Sequence, residues 1–135
     1  MHRDHKPQNI FIDNKSGKPV LKIGDFGLAK YFSKSDLHDN DAYSTRCGTV
    51  VYMAPEVKEG SDYSMNADIY AIGLIFLEML VGTKPWPNCE PKDEGRRKIQ
   101  FFKDFIAGRV QLSQYGIEVS DLCLDLLRAM LKESP

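Results

Sequence analysis

Two short apolar segments near the amino terminus are separated by polar residues. Residues 10–12 form the first segment and residues 19–23 the second, while residues 14–17 between them read Asn-Lys-Ser-Gly. Strand-length apolar segments joined by residues that favour turns are typical of a β-hairpin. The pattern therefore predicts a small hairpin at this end of the chain.

The most apolar segment, residues 68–81, has the length of a helix. It has no polar face, which is typical of a helix that is buried on all sides. Asp68 lies in its first turn, where a negative charge is favourable, and Gly82 suits its carboxyl end. We therefore expect a buried helix here.

Two further helices are predicted at residues 97–107 and 120–132. Ser120 can cap the second one, because its hydroxyl can accept a backbone N–H of the first turn. The predicted apolar face of that helix consists of Leu122, Leu126, Leu127, Met130 and Leu131. Residues 28–53 are polar and residues 84–93 contain three prolines, so both segments are predicted to be loops.

The fold class is therefore mainly α, a helical body with a small β-hairpin in one domain. A chain of 135 residues is long enough for one core. The net charge of -1 gives no broad basic surface, so we expect neither nucleic acid nor a membrane as a partner. The three cysteines lack the spacing of a zinc site and are odd in number, which favours a reducing compartment, the cytoplasm or the nucleus.

Four polar residues that suit phosphoryl transfer flank the predicted hairpin. Asp4, Lys6 and Asn9 precede it, and Asp25 opens the sequence Asp-Phe-Gly after it. A hairpin returns Asp25 to the neighbourhood of Asn9, and the side-chain oxygens of both residues suit Mg²⁺ bound to phosphate. Lys6 supplies a cation and Asp4 a carboxylate that can orient a hydroxyl, so the set meets the requirements of phosphoryl transfer.

Four motifs resemble those of the protein kinase family, and the resemblance covers the whole chain. They are His-Arg-Asp-His-Lys-Pro-Gln-Asn at 2–9, Asp-Phe-Gly at 25–27, Ala-Pro-Glu at 54–56 and Asp-Ile-Tyr-Ala-Ile-Gly at 68–73. In that family they are the catalytic loop, the magnesium motif, the end of the activation segment and the start of a central buried helix. Each motif alone is weak evidence for this family, but all four motifs in this order are a specific resemblance to it. The resemblance implies that residues 1–135 are a partial protein kinase domain.

The resemblance also implies a role for each polar residue of the site. Asp4 would be the catalytic base that orients the substrate hydroxyl, and Lys6 would contact the transferred phosphate of ATP. Asn9 and Asp25 would hold Mg²⁺, and Thr49 would help to place the substrate. Because Lys6 in this loop pattern is typical of serine/threonine kinases, the implied function is ATP-dependent phosphorylation of serine or threonine in a protein.

Three residues would have structural roles in such a domain. Gly27 would allow the backbone to rotate at Asp-Phe-Gly. Asp68 would accept backbone N–H groups of the catalytic loop, and Glu56 would form half of a buried ion pair.

Arg3 precedes the predicted catalytic base, which resembles kinases that are activated by phosphorylation of the activation loop. A phosphate on that loop could pair with the Arg3 guanidinium. The resemblance places the phosphorylation site at Thr45, with Ser44 as the second candidate.

A finer resemblance is to the kinases of translation initiation factor 2 alpha, which would make that alpha subunit the protein substrate. The stretches that support it are residues 9–12, 22–28, 69–74 and 101–104.

Two features depart from the family pattern. His5 stands where the family usually has an aliphatic residue that packs inward, so its ring needs a hydrogen-bond partner. The glycine-rich loop and the strand lysine of the amino-terminal β-lobe are expected before residue 1, and the arginine partner of Glu56 is expected after Pro135. The fold is thus expected to be a truncated kinase with only its carboxyl-terminal lobe, and residues 1–135 alone to be inactive.

Two alternatives to a piece of an active kinase stay open. The chain could be a catalytically inactive lobe that binds a substrate or a partner protein. It could also be a truncated sequence without an independent role.

Overall fold

A computed structural model describes residues 1–15, 17–31, 48–60, 64–83, 85 and 90–132. Within these ranges the main elements are β1 (Ile10–Asp13), β2 (Val20–Ile23), α1 (Pro55–Glu59), α2 (Met65–Val81), α3 (Pro91–Ile106) and α4 (Asp121–Met130). Short 3-10 helices lie at Pro7–Asn9, Phe26–Leu28 and Leu112–Tyr115. The prediction of a mainly α fold with a small hairpin is confirmed. None of the helices in these ranges is long and apolar enough to cross a membrane.

The chain divides into two compact units, and the division falls within α2. The first unit includes Met1–Ile72 and the second is Gly73–Lys132. The hairpin and the described residues of the predicted site belong to the first unit. Helices α3 and α4 belong to the second.

The predicted hairpin is confirmed, with β1 and β2 paired antiparallel. Ile10 lies opposite Ile23, and Asp13 lies opposite Val20. Hydrophobic side chains on both strands are exposed to solvent. The turn is closed by a hydrogen bond from the N–H of Gly17, at a φ of 74°, to the carbonyl of Asn14 at 3.2 Å. A positive φ is the backbone conformation that glycine adopts without steric cost, so the turn composition accounts for the hairpin.

Helix α2 begins at Met65 rather than at Asp68, and it ends at Val81 as predicted. Gly82 follows with a φ of 55°, and its N–H donates to the carbonyl of Glu78 at 2.8 Å. This left-handed glycine ends the helix by pairing one of its last carbonyl groups.

The prediction that this helix is buried on all sides is wrong for one part of its surface. Leu74 and Leu77 are fully buried, whereas Met65, Ile69 and Met79 are exposed. An apolar composition can make a helix suitable for burial, but the neighbouring elements decide which of its faces are covered.

Helix α3 begins at Pro91, so the prediction that residues 84–93 form a loop is wrong for the last of them. Proline is favourable at the first helical position, because its fixed φ suits the helix and its missing N–H would lack an intrahelical partner there. Asp93 and Glu94 place negative charge in the first turn, which favours the helix further. Pro91, Asp93 and Glu94 thus favour the start of a helix, although the three prolines of residues 84–93 suggested a loop.

A partly buried lysine anchors α3 in the second unit. Lys98 Nζ lies 2.7 Å from a carboxylate oxygen of Glu78 on α2 and 2.7 Å from one of Glu94 on its own helix. Burial lowers the pKa of Lys98, but the hydrogen bonds and charges of the two glutamates raise it by more, so it lies above its usual value. Phe101 and Phe102 are buried on the same helix.

Helix α4 has the predicted N-cap. The hydroxyl of Ser120 accepts the backbone N–H of Cys123 at 3.3 Å, which satisfies one of the free N–H groups of the first turn. The helix ends at Met130, two residues before the predicted end at residue 132.

The predicted apolar face of α4 is partly wrong. Leu127 and Leu131 are buried and Met130 is half-buried, but Leu122 is 82% exposed and Leu126 is 53% exposed. The buried side is therefore displaced around the helix axis from the side on which all five residues would lie.

A glycine in α2 explains the orientation of α4. If Gly73 carried a Cβ atom, that atom would lie 3.0 Å from Leu131 Cδ2 and 3.0 Å from Met130 Cβ. The end of α4 thus packs closely on the backbone of α2 at Gly73. This contact sets the rotation of α4, and it turns the first leucines of the helix outward.

Candidate active site

Asp4 lies at the centre of a set of hydrogen bonds that joins residues far apart in the sequence. Its side chain is buried, and its Oδ1 atom accepts hydrogen bonds from the backbone N–H and the hydroxyl of Thr49, each at 2.9 Å. Its Oδ2 atom accepts from Lys6 Nζ at 2.6 Å and from Asn9 Nδ2 at 3.3 Å. The structure therefore brings together four of the predicted site residues.

These contacts keep the Asp4 carboxylate ionised. Burial raises the pKa of Asp4, but the hydrogen bonds from Lys6 and Thr49 and the charge of Lys6 lower it by more, so the pKa lies below its usual value. An ionised carboxylate only accepts hydrogen bonds, and so it can orient a hydroxyl that approaches it.

The carboxylate of Asp68 on α2 holds the loop that carries Asp4. Its Oδ2 atom accepts the backbone N–H of His2 at 2.8 Å, and its Oδ1 atom accepts the backbone N–H of Arg3 at 3.0 Å. Arg3 has a φ of 69°, a left-handed conformation that is unfavourable for a residue with a side chain. Asp68 thus stabilises a strained loop directly before Asp4.

The ring of His2 connects this loop to the Asp-Phe-Gly segment. Its Nε2 atom donates to the carbonyl of Gly24 at 3.0 Å, and its Nδ1 atom accepts the N–H of Asp4 at 3.4 Å. The edge of Phe26 contacts the same ring, with centroids 5.0 Å apart. The buried ring of His2 thus joins two segments that are far apart in the sequence.

Asp25 follows β2 and lies beside the end of the catalytic loop, as the hairpin predicts. The N–H of Gly24 donates to the carbonyl of Asn9 at 2.9 Å, which continues the pairing of β1 and β2 by one step. Asp25 has a φ of 61°, and its Oδ1 atom accepts the N–H of Gly27 at 3.4 Å. Its side chain is exposed, and Gly27 lies in the short helix that follows.

The side-chain oxygens of Asn9 and Asp25 are of the type that binds magnesium. The Nδ2 atom of Asn9 donates to Asp4, including its backbone carbonyl at 2.9 Å, which leaves the Asn9 amide oxygen as a ligand. The Asp25 carboxylate provides a second hard oxygen donor. Mg²⁺ is commonly held by one or two such groups, with phosphate and water as its remaining ligands. No cluster of three or more His, Cys, Asp or Glu suited to a metal occurs among the described residues.

Gly48 allows Thr49 to reach Asp4. It has a φ of 106°, and a Cβ atom at this position would lie 2.5 Å from the carbonyl oxygen of Arg3. Both the conformation and the space therefore require glycine. Sequence analysis did not assign Gly48 a role, although its place directly before Thr49 was the available signal.

Other predicted residues are not joined to this set by the described contacts. Glu56 lies half-buried in the first turn of α1, and no ion pair joins it to a described residue. The Nε atom of Arg3 donates to the carbonyl of Leu28 at 2.6 Å. Thr45 and Ser44 lie outside the described residues.

The expected hydrogen-bond partner of His5 is not found, so that prediction is wrong for the described part of the chain. Its Nδ1 atom is buried without a partner there, and its Nε2 atom is 3.8 Å from Asp68 Oδ1. The ring stacks on that of His2, with centroids 4.4 Å apart.

A family model and several known proteins match this chain, and all of them are protein kinases. The model of the protein kinase domain family matches residues 1–135. The chain is 46% identical over 82 residues to serine/threonine-protein kinase atg1 of Dictyostelium discoideum, a match that covers 61% of this chain and 12% of that protein. It is 31% identical over 137 residues to serine/threonine-protein kinase ATG1a of Arabidopsis thaliana, which covers all of this chain and 20% of that protein.

A human serine/threonine protein kinase is also similar to this chain. Serine/threonine-protein kinase ULK1 of Homo sapiens is 39% identical over 99 residues, which cover 69% of this chain and 9% of that protein. The chain thus spans between 9% and 20% of the length of these three relatives. They give no support to the finer resemblance to kinases of translation initiation factor 2 alpha.

Proposed function

The chain belongs to the protein kinase domain family, and from that premise we propose that it carries the catalytic loop and the metal-binding segment of a serine/threonine protein kinase. The reaction is transfer of the terminal phosphoryl group of ATP to a serine or threonine hydroxyl of a protein. The relatives described above, which are serine/threonine protein kinases, support this reaction class. The helical body corresponds in this proposal to the carboxyl-terminal lobe of the kinase domain.

The observation that carries the proposal is the environment of Asp4. Its carboxylate is held by Lys6 on one oxygen and by Thr49 on the other, and it is ionised because these donors lower its pKa. In the proposed reaction Asp4 accepts a hydrogen bond from the substrate hydroxyl and orients it towards the phosphate. Positioning and charge stabilisation are most of what a protein contributes to phosphoryl transfer.

The neighbouring side chains supply the complementary charges. The ammonium of Lys6, which pairs with Asp4, would contact the transferred phosphoryl group. Asn9 and Asp25 would hold Mg²⁺, which when bound neutralises phosphate charge. Thr49 holds the Asp4 carboxylate in place by its two hydrogen bonds, and in this proposal it helps to place the substrate.

Regulation by phosphorylation is a further part of the proposal. Arg3 adjoins Asp4 in the sequence, and a phosphate on Thr45, or on Ser44, could pair with its guanidinium. Such a pair would compete with the present hydrogen bond from Arg3 Nε to the carbonyl of Leu28.

The substrate in this proposal is a serine or threonine residue of a protein. The alpha subunit of translation initiation factor 2 was suggested by short stretches of sequence only, and the three relatives do not support it.

The test is a kinase assay on a fusion protein in which the amino-terminal lobe of a relative precedes residue 1. Asp4→Asn and Asp25→Asn are each expected to lower kcat by about a hundredfold or more, because one removes the acceptor for the hydroxyl and the other a metal ligand. Asp13→Asn in the hairpin, paired with Lys22 outside the site, is the matched control and should leave kcat nearly unchanged.

Circular dichroism of each variant shows whether its fold is retained. A folded Asp4→Asn variant with the kcat of the unaltered fusion would show that Asp4 is not the catalytic base. A folded Asp25→Asn variant with unchanged magnesium dependence would remove the metal site from the proposal.

A further inference from the structure

The ring of His5 is enclosed but makes no hydrogen bond to a described residue. The residue is 7% exposed, and its Nδ1 atom is buried without a partner in the described part of the chain. Its Nε2 atom is 3.8 Å from Asp68 Oδ1, which is beyond hydrogen-bond distance. Buried polar groups are usually paired, so the unpartnered Nδ1 atom of this ring requires an explanation.

The adjacent ring of His2 uses both of its nitrogens in hydrogen bonds. The two rings are stacked with centroids 4.4 Å apart and an angle of 18° between their planes. Since the carbonyl of Gly24 can only accept, His2 Nε2 carries the hydrogen, and since the N–H of Asp4 can only donate, His2 Nδ1 carries none. Of the two stacked rings, His5 is therefore the one that can take up a proton without losing a hydrogen bond.

Groups of both signs surround the ring of His5 or line the depression beside it. The negative ones belong to the catalytic loop and to α2, and the positive ones to the first residues of the chain. The charged and titratable groups are Asp68, Asp4, His2, Arg3 and the amino group of Met1, together with the uncharged phenol of Tyr52. The strongest attraction for a charged His5 comes from Asp68.

Attraction to Asp68 would act on the loop itself. Asp68 Oδ1 is the oxygen near His5 Nε2, and the same atom accepts the backbone N–H of Arg3. A charged His5 would compete for this oxygen with the hydrogen bond that holds Arg3 in its left-handed conformation. Asp4 is the next residue, so any relaxation of Arg3 changes the position of the Asp4 carboxylate.

We propose that His5 is a proton-sensitive positioning residue, whose neutral ring supports the catalytic loop and whose protonation draws Asp68 away from the loop amides and displaces Asp4. The part of this inference that concerns activity rests on the proposed function. The part that concerns the loop does not.

The protonation behaviour of His5 agrees with this geometry. Burial lowers the pKa of His5, Asp68 and Asp4 raise it, and His2 and the amino terminus lower it, with the result below the usual 6.5. The ring is thus neutral near pH 7, and its charge appears only on acidification.

The first test follows the histidine rings and the backbone amides of the 135-residue chain by NMR as pH is lowered. The His5 ring is expected to titrate with a midpoint below 6.5. The amide signals of His2 and Arg3 should shift with the same midpoint, because their acceptor is Asp68. In His5→Phe, which keeps a stacking ring, and in His5→Leu, this titration of the two amides should disappear.

His38→Leu, which removes the third histidine of the chain, is the control and should leave the titration unchanged. The proposal fails if His5 titrates at or above 6.5, or if the amides of His2 and Arg3 do not follow it. Having two replacements keeps the test decisive if one of them does not fold.

The second test measures kcat of the fusion protein between about pH 7.5 and about pH 5.5. His5→Phe is expected to reduce the loss of kcat over this range severalfold, with KM nearly unchanged. An unchanged acid limb would contradict the effect on Asp4 while leaving the kinase activity established. An inactive fusion would count against the proposed function, and the NMR result would still decide whether His5 controls the loop.

Discussion

A single carboxylate on α2 orders the loop that carries the predicted catalytic base. Asp68 accepts two backbone N–H groups, those of His2 and Arg3. The left-handed conformation of Arg3 costs about 1 to 2 kcal/mol, whereas a hydrogen bond to a charged group contributes about 1.5 to 3 kcal/mol. The two bonds are therefore strong enough to maintain a conformation that the loop would not adopt alone.

Replacing Asp68 by Asn is expected to lower the free energy of unfolding by about 2 to 4 kcal/mol. The amide group of Asn offers one acceptor and one donor, so one of the two loop N–H groups would face another N–H. Urea unfolding of the chain measures the difference. Asp13→Asn on the exposed hairpin is the control, and equal losses in the two variants would contradict the special role of Asp68.

Among the elements, α4 is oriented by its close contact with Gly73 of α2. Gly73 lets Leu131 and Met130 of the second unit approach the backbone of α2. The contact determines the rotation of α4 about its axis, and at this rotation Leu127 is buried and Leu122 is exposed. Spacing alone had placed both leucines on one buried face.

Leu127→Ala is expected to lower the free energy of unfolding by about 2 to 5 kcal/mol, because it leaves a cavity at a fully buried position. Leu122→Ala on the same helix should change it by no more than about 0.5 kcal/mol. Urea unfolding of both variants measures the two values. Similar losses of unfolding free energy in the two variants would contradict the observed orientation and support the apolar face predicted from spacing.

At the scale of the whole molecule, several ionisable groups make stability depend on pH. Burial lowers the pKa of His5, and donors to Asp4, Asp13 and Asp104 hold their pKa values below the usual 3.8. Lys98 has a raised pKa, which its two glutamates cause in spite of its burial. The folded chain thus binds protons less readily than the unfolded chain at four of these groups and more readily at the fifth.

The free energy of unfolding is therefore expected to be greatest on a plateau between about pH 7 and pH 10. A lowered His5 pKa contributes stability above 6.5 that is lost as pH falls from there through the folded value. The aspartates add a further loss below about pH 4, and the raised pKa of Lys98 gives a loss on the alkaline side as pH rises through its folded value.

Urea midpoints measured across this range test the prediction. His5→Leu should remove the first acid step, that below 6.5, and leave the step near pH 4 in place. A wild-type midpoint that stays constant from about pH 7.5 to about pH 5 would contradict the lowered pKa of His5.

Local features were predictable because they depend on residues close together in the sequence. The Asn-Lys-Ser-Gly turn specifies the hairpin, Ser120 specifies the start of α4, and the pairing of β1 with β2 brings Asp25 back beside Asn9. The order of the kinase motifs identified the candidate site before any geometry was known. The turn and the start of α4 require only backbone preferences and hydrogen bonds between residues a few positions apart.

Long-range contacts decided the rest. The hydrogen bonds of Thr49 to Asp4 and of Asp68 to His2 and Arg3 join residues that no local pattern connects. Sequence patterns specify the hairpin and helices α2, α3 and α4, and the motifs indicate the chemistry of the candidate site. Tertiary packing specifies which helix faces are buried and which N–H groups of the loop Asp68 accepts, since both depend on close contact between segments that are distant along the chain.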